Sequence, residues 1–237
     1  MKLLAFESSA KAAGTALLSD GCLLAEYMQN SGQTHSRTLM ELAKNMLSGC
    51  DLTPQDIDAV AVAAGPGSFT GVRIGMACAK GFAWGRQLPL YGVSTLEAMA
   101  RGAACADGVY CACMDARKGQ IYNALFNWID GALLRRTEDR AIAISELSQE
   151  LKNIPGPVYL AGDGAKLVFD TLKEENLPLR LLPEHLRQQR ASGVALTAME
   201  KIAAGEPADA AALTPNYLRQ AQAERTRQHD KDFYLKK

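Results

Sequence analysis

Residues 59–81, AVAVAAGPGSFTGVRIGMACAKG, constrain this chain more than any other stretch. An apolar, partly β-branched run from Ala59 to Ala64 fits a buried strand and leads into the loop Gly65, Pro66, Gly67, Ser68, Phe69, Thr70, Gly71. A helix from Val72 to about Trp84 should follow. Glycine at 65, 67 and 71 removes side chains where the backbone must turn or approach another chain segment. The loop is no dinucleotide fingerprint: its spacing is G-x-G-x-x-x-G, Pro66 has no donor, and no acidic residue sits about twenty positions on. Gly71, Gly75, Ala79 and Ala83 then recur every four residues and make one smooth stripe along the helix. That stripe suits close packing against the chain's own sheet or against a helix of another molecule, and spacing alone leaves both open.

The rest of the chain frames this unit. Residues 2–7, GTALLSD and CLLAEYM read as strands, with Asp20-Gly21 marking a hairpin. Leu39, Leu42, Ala43, Met46 and Leu47 recur at helical spacing between His35 and Gly49. Thr53-Pro54 reads as a cap and first helical residue, LPLYGV as a strand, and Ser94 with Glu97 as a capping box. The second half repeats the order: VYCACMDA, QIYNALFNWI and ALLRRTE as strands with Asp130-Gly131 as a hairpin, then ISELSQELK, PVYLAG and GAKLVFDTLKEE as helix, strand and helix. Residues 190–205 fit a further helix, and LTPNYLRQA a docking segment anchored by Tyr217 and Leu218.

Two βββαβα units side by side describe an α/β, actin-like (ribonuclease H-like) two-lobed fold with a cleft between lobes. The expected division is a lobe over 1–106, a second over 107–219, and a basic tail over 220–237. Around that tail Arg219, Arg225, Arg227, Lys231, Lys236 and Lys237 outnumber Glu224, Asp230 and Asp232. Over the whole chain Lys+Arg and Asp+Glu are both 26, so no global field draws a polyanion and independent nucleic-acid binding is not expected. Six cysteines without a C-x-x-C pair read as reduced thiols, and no secretory signal or membrane-spanning run is found, which places the protein in the cytoplasm.

Taken together, GPGSFTGVRIG, the LAFESS strand, His35-Ser36, the run Asp115-Ala116-Arg117-Lys118-Gly119-Gln120-Ile121-Tyr122 and the late Pro215-Asn216-Tyr217-Leu218-Arg219 closely resemble the TsaB family, from the first strand to about Arg219. The resemblance implies a non-catalytic relative of TsaD that pairs with it. With the ATPase TsaE it supports threonylcarbamoylation of the adenosine next to the anticodon in tRNA, and alone it forms a homodimer. It also implies that the first two helices pack into a four-helix arrangement with the partner. His35, Leu39, Met40, Ala43, Met46, Gly71, Arg73, Gly75, Ala79 and Phe82 would form that face.

The residues support a loss of chemistry beside the name. A zinc site on one helical face needs histidines at i and i+4, as in a metallopeptidase, but His35 is followed by Leu39, while His185 and His229 lie far away. No intrinsic metal or cofactor is expected; ATP or ADP would sit at the joint interface with TsaD. Glu7, Asp115 and Asp163 end strands as the carboxylates of a cleft ATPase do, with Arg117 and Lys118 on a nearby turn able to face an anion. The turn after Glu7, SSAKAAG, lacks a glycine-rich run of phosphate donors, which argues against hydrolysis. Ser68 and Thr70 read as hydroxyls that brace the loop.

Overall fold

The computed structural model describes residues 1–208 and 210–219, and the basic tail expected at 220–237 lies outside the described residues. Two sheets organise it. In the first, β1 (Lys2–Glu7), β2 (Ala13–Ser19) and β3 (Cys22–Gln29) run antiparallel, and β4 (Ala59–Ala63) and β5 (Leu90–Val93) continue parallel from β1, in the order β3-β2-β1-β4-β5. Helix α1 (His35–Gly49) follows β3, α2 (Phe69–Trp84) follows β4, and α3 (Thr95–Ala103) follows β5. The second sheet repeats this order with β6 (Gly108–Arg117), β7 (Gln120–Ile129), β8 (Ala132–Arg135), β9 (Arg140–Ala143), α4 (Ile144–Leu151), β10 (Val158–Ala161), α5 (Ala165–Leu172) and β11 (Leu179–Leu181). The short α6 (Glu184–Arg187) and the longer α7 (Ala191–Ala203) follow among the described residues.

Local chemistry explains most of these boundaries. Asp20 and Gly21 have φ of 49° and 82°, and Asp130 and Gly131 have 49° and 80°, the paired positive values that let a two-residue turn follow strand twist. Ser94 accepts the Glu97 amide at 3.2 Å and starts α3, while Thr53 and Asp56 cap the short 3₁₀ turn at Pro54–Asp56. Three elements were not legible: β9, β11 and α6 are three or four residues long and carry no period.

The layers follow from which faces are apolar. Leu4, Phe6, Val60 and Val62 of the first sheet pack against Leu39, Ala43 and Met46 of α1 and Met76, Ala79 and Ala83 of α2. Leu3, Ala5, Ala61 and Ala63 point the other way, against Val194, Ala195 and Ala198 of α7. The second sheet meets α4 and α5 on one face and α3 on the other. Helices α3 and α7 therefore sit together between the sheets, where Arg101 pairs with Glu200 and a side chain on Gly193 would strike the Ala98 carbonyl at 2.1 Å. This corrects the expected division at 107–219. Helix α7 closes the first sheet because that sheet's second apolar face has no other cover.

The glycine stripe is corrected as well. Gly71, Gly75, Ala79 and Ala83 face the protein's own interior, where a side chain on Gly71 would lie 2.1 Å from the Ser8 carbonyl and one on Gly75 2.4 Å from the Ser8 hydroxyl. Leu39, Ala43 and Met46 are buried in the same core, so these residues cannot form a partner face without unfolding the monomer. The helix face turned to solvent is one step round: Arg73, Ala77, Gly81 and Trp84.

Gly71→Ala should lower the urea midpoint by an amount equivalent to about 1–3 kcal/mol, because the clash is with backbone. Gly81→Ala, with nothing within 4 Å, should raise stability by up to about 1 kcal/mol through helix propensity. Urea titrations of the two variants check the orientation of α2, which is wrong if the two changes act alike.

Candidate functional site

A cleft of about 470 Å³ opens between the lobes. Ser9, Ala10 and Lys11 from the β1–β2 turn form one wall with Gly67, Ser68 and Phe69. Met114, Asp115, Ala116, Arg117, Tyr122 and Asp163 come from the second lobe, and Asn216 to Arg219 close the side. The β1–β2 turn and the glycine loop are bolted together: Ser68 N–H donates to the Ser9 carbonyl at 2.7 Å and the Ser8 hydroxyl donates to the Gly71 carbonyl at 2.9 Å. Ser68 also caps α2 by accepting the Gly71 amide at 3.2 Å, as the expected bracing role requires.

Of the expected cleft residues, Asp115, Arg117 and Asp163 line the wall. Glu7 lies beneath it, 1% exposed, and Lys118 is exposed on the turn outside the lining. Asp115 is occupied locally: it accepts the Arg117 amide at 2.7 Å and pairs with the Arg117 guanidinium at 3.6 Å, bracing the β6–β7 turn. Asp163 accepts a hydrogen bond from Gln189 Nε2 at 2.6 Å. Gln189 is buried within a polar run that gave no signal in the sequence. Although Asp163 still meets solvent, lost hydration within the cleft raises its carboxyl, with the Gln189 hydrogen bond pulling the other way.

Burial pushes Glu7 up to about 7, against the lowering effect of hydrogen bonds from Ser9, whose amide donates at 2.6 Å. His35 Nε2–H donates to the Ala10 carbonyl at 2.8 Å and pins the start of α1 to the β1–β2 turn. Among the described residues no group of three or more His, Cys, Asp or Glu is placed to hold a metal ion.

On the outer side of the first lobe, α1 and α2 lie side by side over the sheet. Of the expected partner residues, Met40 is 40% exposed, Arg73 is exposed, and His35 and Phe82 are half-buried. Trp84, 85% exposed, and the flat ground of Ala77 and Gly81 belong to this surface and were missed, because helical period does not tell which stripe meets the sheet.

The arrangement defines a class: a duplicated actin-like fold with mixed α/β sheets, an interlobe cleft and an outer helix face exposed among the described residues. The family model for TsaD, tRNA N6-adenosine threonylcarbamoyltransferase, matches residues 24–227. The tRNA threonylcarbamoyladenosine biosynthesis protein TsaB of Bacillus subtilis (strain 168) is 35% identical over 94% of this chain and 96% of its own length. TsaB of Escherichia coli (strain K12) is 34% identical over 76% of this chain and 79% of its own length. The structure of YeaZ from Pseudomonas aeruginosa superposes with a TM-score of 0.77 at 26% identity, covering 92% of this chain and 99% of that one. The chain belongs to the TsaB family, within the wider group of TsaD-like proteins.

Glu7 makes stability depend on pH. Between its unfolded value, 4.5, and its folded value, about 7, the folded chain keeps a proton that the unfolded chain releases, so stability falls as pH rises through that window. The difference is on the order of 3 kcal/mol by linkage. Urea midpoints should fall from about pH 5 to about pH 8 in the parent, whereas Glu7→Gln should remove most of that slope. Equal slopes in both proteins would show that the Glu7 carboxyl is not raised in the folded chain.

Proposed function

We propose that this chain is a non-catalytic subunit that pairs with a TsaD-type catalytic protein. With a TsaE-type ATPase it would sustain threonylcarbamoylation of the adenosine next to the anticodon in tRNA. One observation supports the pairing surface: Trp84 stands 85% exposed on the outward stripe of α2, beside the small residues Ala77 and Gly81. A tryptophan left in water forgoes a large apolar burial, and aromatic anchors of this kind dominate protein interfaces. Ala77 and Gly81 let a second helix approach closely, and Met40 of α1 extends the apolar ground. Alone, the chain would use the same patch twice in a two-fold homodimer.

Other features fit a subunit that does no bond-making. His35 is committed to the Ala10 carbonyl and Asp115 to its own turn. Lys+Arg and Asp+Glu balance at 26 each, so tRNA is met through the complex. The subunit carries no cofactor of its own, and ATP or ADP sits at the joint interface with TsaD. On this reading the work is done in the cytoplasm; among the described residues no helix is long and apolar enough to cross a membrane.

Ala77→Arg puts a long cation on the flat ground without touching the core. With the TsaD of the same organism, co-purification and tRNA modification should both fall at least about tenfold, equivalent to about 1.4 kcal/mol of pairing free energy. Circular dichroism and melting should stay at parent values. If the variant co-purifies as well as the parent, this face is not the partner surface.

A further inference from the structure

The segment 213–219 follows α7 and belongs to neither sheet, yet it is held at both ends. Leu213 packs on the first lobe, close enough that a side chain on Gly92 would strike its Cδ1 at 2.3 Å. Asn216 N–H donates to the Ala64 carbonyl at 2.7 Å, and the Asn216 carbonyl lies 2.6 Å from where a side chain on Gly65 would stand. Gly65 has φ of 109°, so glycine is required there both for the conformation and for the space.

Next, the Tyr217 ring stacks on Phe69 with centroids 4.7 Å apart and planes at 27°. Arg73 joins them: its Nε–H donates to the Tyr217 hydroxyl at 2.7 Å and its guanidinium lies 3.7 Å from the Phe69 centroid. Two residues later the chain has crossed to the second lobe. The Arg219 guanidinium donates to the Ala116 carbonyl and reaches the Arg117 carbonyl at 3.5 Å, where β6 shifts register against β7. The strap thus forms a wall of the cleft and touches both of its sides.

We propose that residues 213–219 are an intramolecular latch: Tyr217 anchors on the glycine loop, Arg219 hooks the β6–β7 turn, and together they hold the lobes at one cleft width. The physical basis is the asymmetry of the two ends. The Tyr217 end combines aromatic stacking, a cation over a ring and a hydrogen bond, contacts that add to one another. The Arg219 end consists of hydrogen bonds to carbonyls near solvent, each of small net worth, so it lets go first. When it does, the cleft widens and the grip of Asn216 and Tyr217 on the glycine loop loosens with it. The α3–α7 seam, packed over Gly102 and Gly193, keeps the lobes joined behind it.

Hydrogen exchange read by mass spectrometry on the full chain tests this with Arg219→Ala. The latch requires amides of residues 64–71 and of 115–119 to exchange at least about threefold faster together, while β2 and α7 keep parent rates. Faster exchange at 115–119 alone would make Arg219 a brace of its own turn and overturn the latch, as would no change at either segment. Tyr217→Ala should produce the same paired loosening with a larger amplitude. Should that variant lose its circular dichroism signal, Tyr217→Phe, which keeps the stack and drops the Arg73 hydrogen bond, takes its place with a smaller paired effect. Loosening confined to residues 213–219 in the substituted proteins also overturns the proposal.

Discussion

The seat of α2 on the β1–β2 turn is the contact on which the rest of the structure depends. Gly71 and Gly75 present no side chain, so the Ser8 carbonyl and hydroxyl come within a distance that any β-carbon would forbid. That approach lets Ser8 bond Gly71 and Ser68 bond Ser9, which aligns the glycine loop along the end of β1 and forms one side of the cleft. It also sets the rotation of α2 about its axis. Ala79 and Ala83 turn inward, and Arg73, Ala77, Gly81 and Trp84 turn outward. Arg73 is thereby placed against Phe69 and Tyr217, so the same contact prepares the site where the strap docks.

Charge in the cleft is arranged for cohesion. Asp115 is spent on the β6–β7 turn and Asp163 on Gln189, while Glu7, buried beneath, is most comfortable protonated. A carboxyl kept neutral in this way costs less to bury than a charged one, which is why Glu7 can end a strand inside the protein. Arg219 brings its cation to backbone carbonyls and not to these acids. The cleft is thus held by hydrogen bonds between protein groups on both walls.

Features that depend on near neighbours in the chain were legible. The two Asp-Gly hairpins, the helix from His35 to Gly49, the Ser94 cap of α3 and the turn opened by Thr53-Pro54 all appear where local preference puts them. The glycine stripe was legible as a place of close packing, but not in its direction, because a four-residue repeat marks a face without naming what meets it. Leu39, Ala43 and Met46 carried the same ambiguity, and the core of the first lobe claimed them. Gln189 and the placement of α7 on the first sheet had no local signature at all, since each is decided by residues far off in the chain.

By itself the amino-acid sequence determined the repeated βββαβα order, the glycine loop between β4 and α2, and enough motif to identify the family. These follow from dihedral preference, period and turn chemistry, which act over a few residues. Only the tertiary structure decided which stripe of α2 faces water, that Glu7 lies sealed beneath the cleft, and that Tyr217 and Arg219 bridge the two lobes. Burial and long-range contact set those outcomes, and both depend on how distant segments compete for the same apolar face.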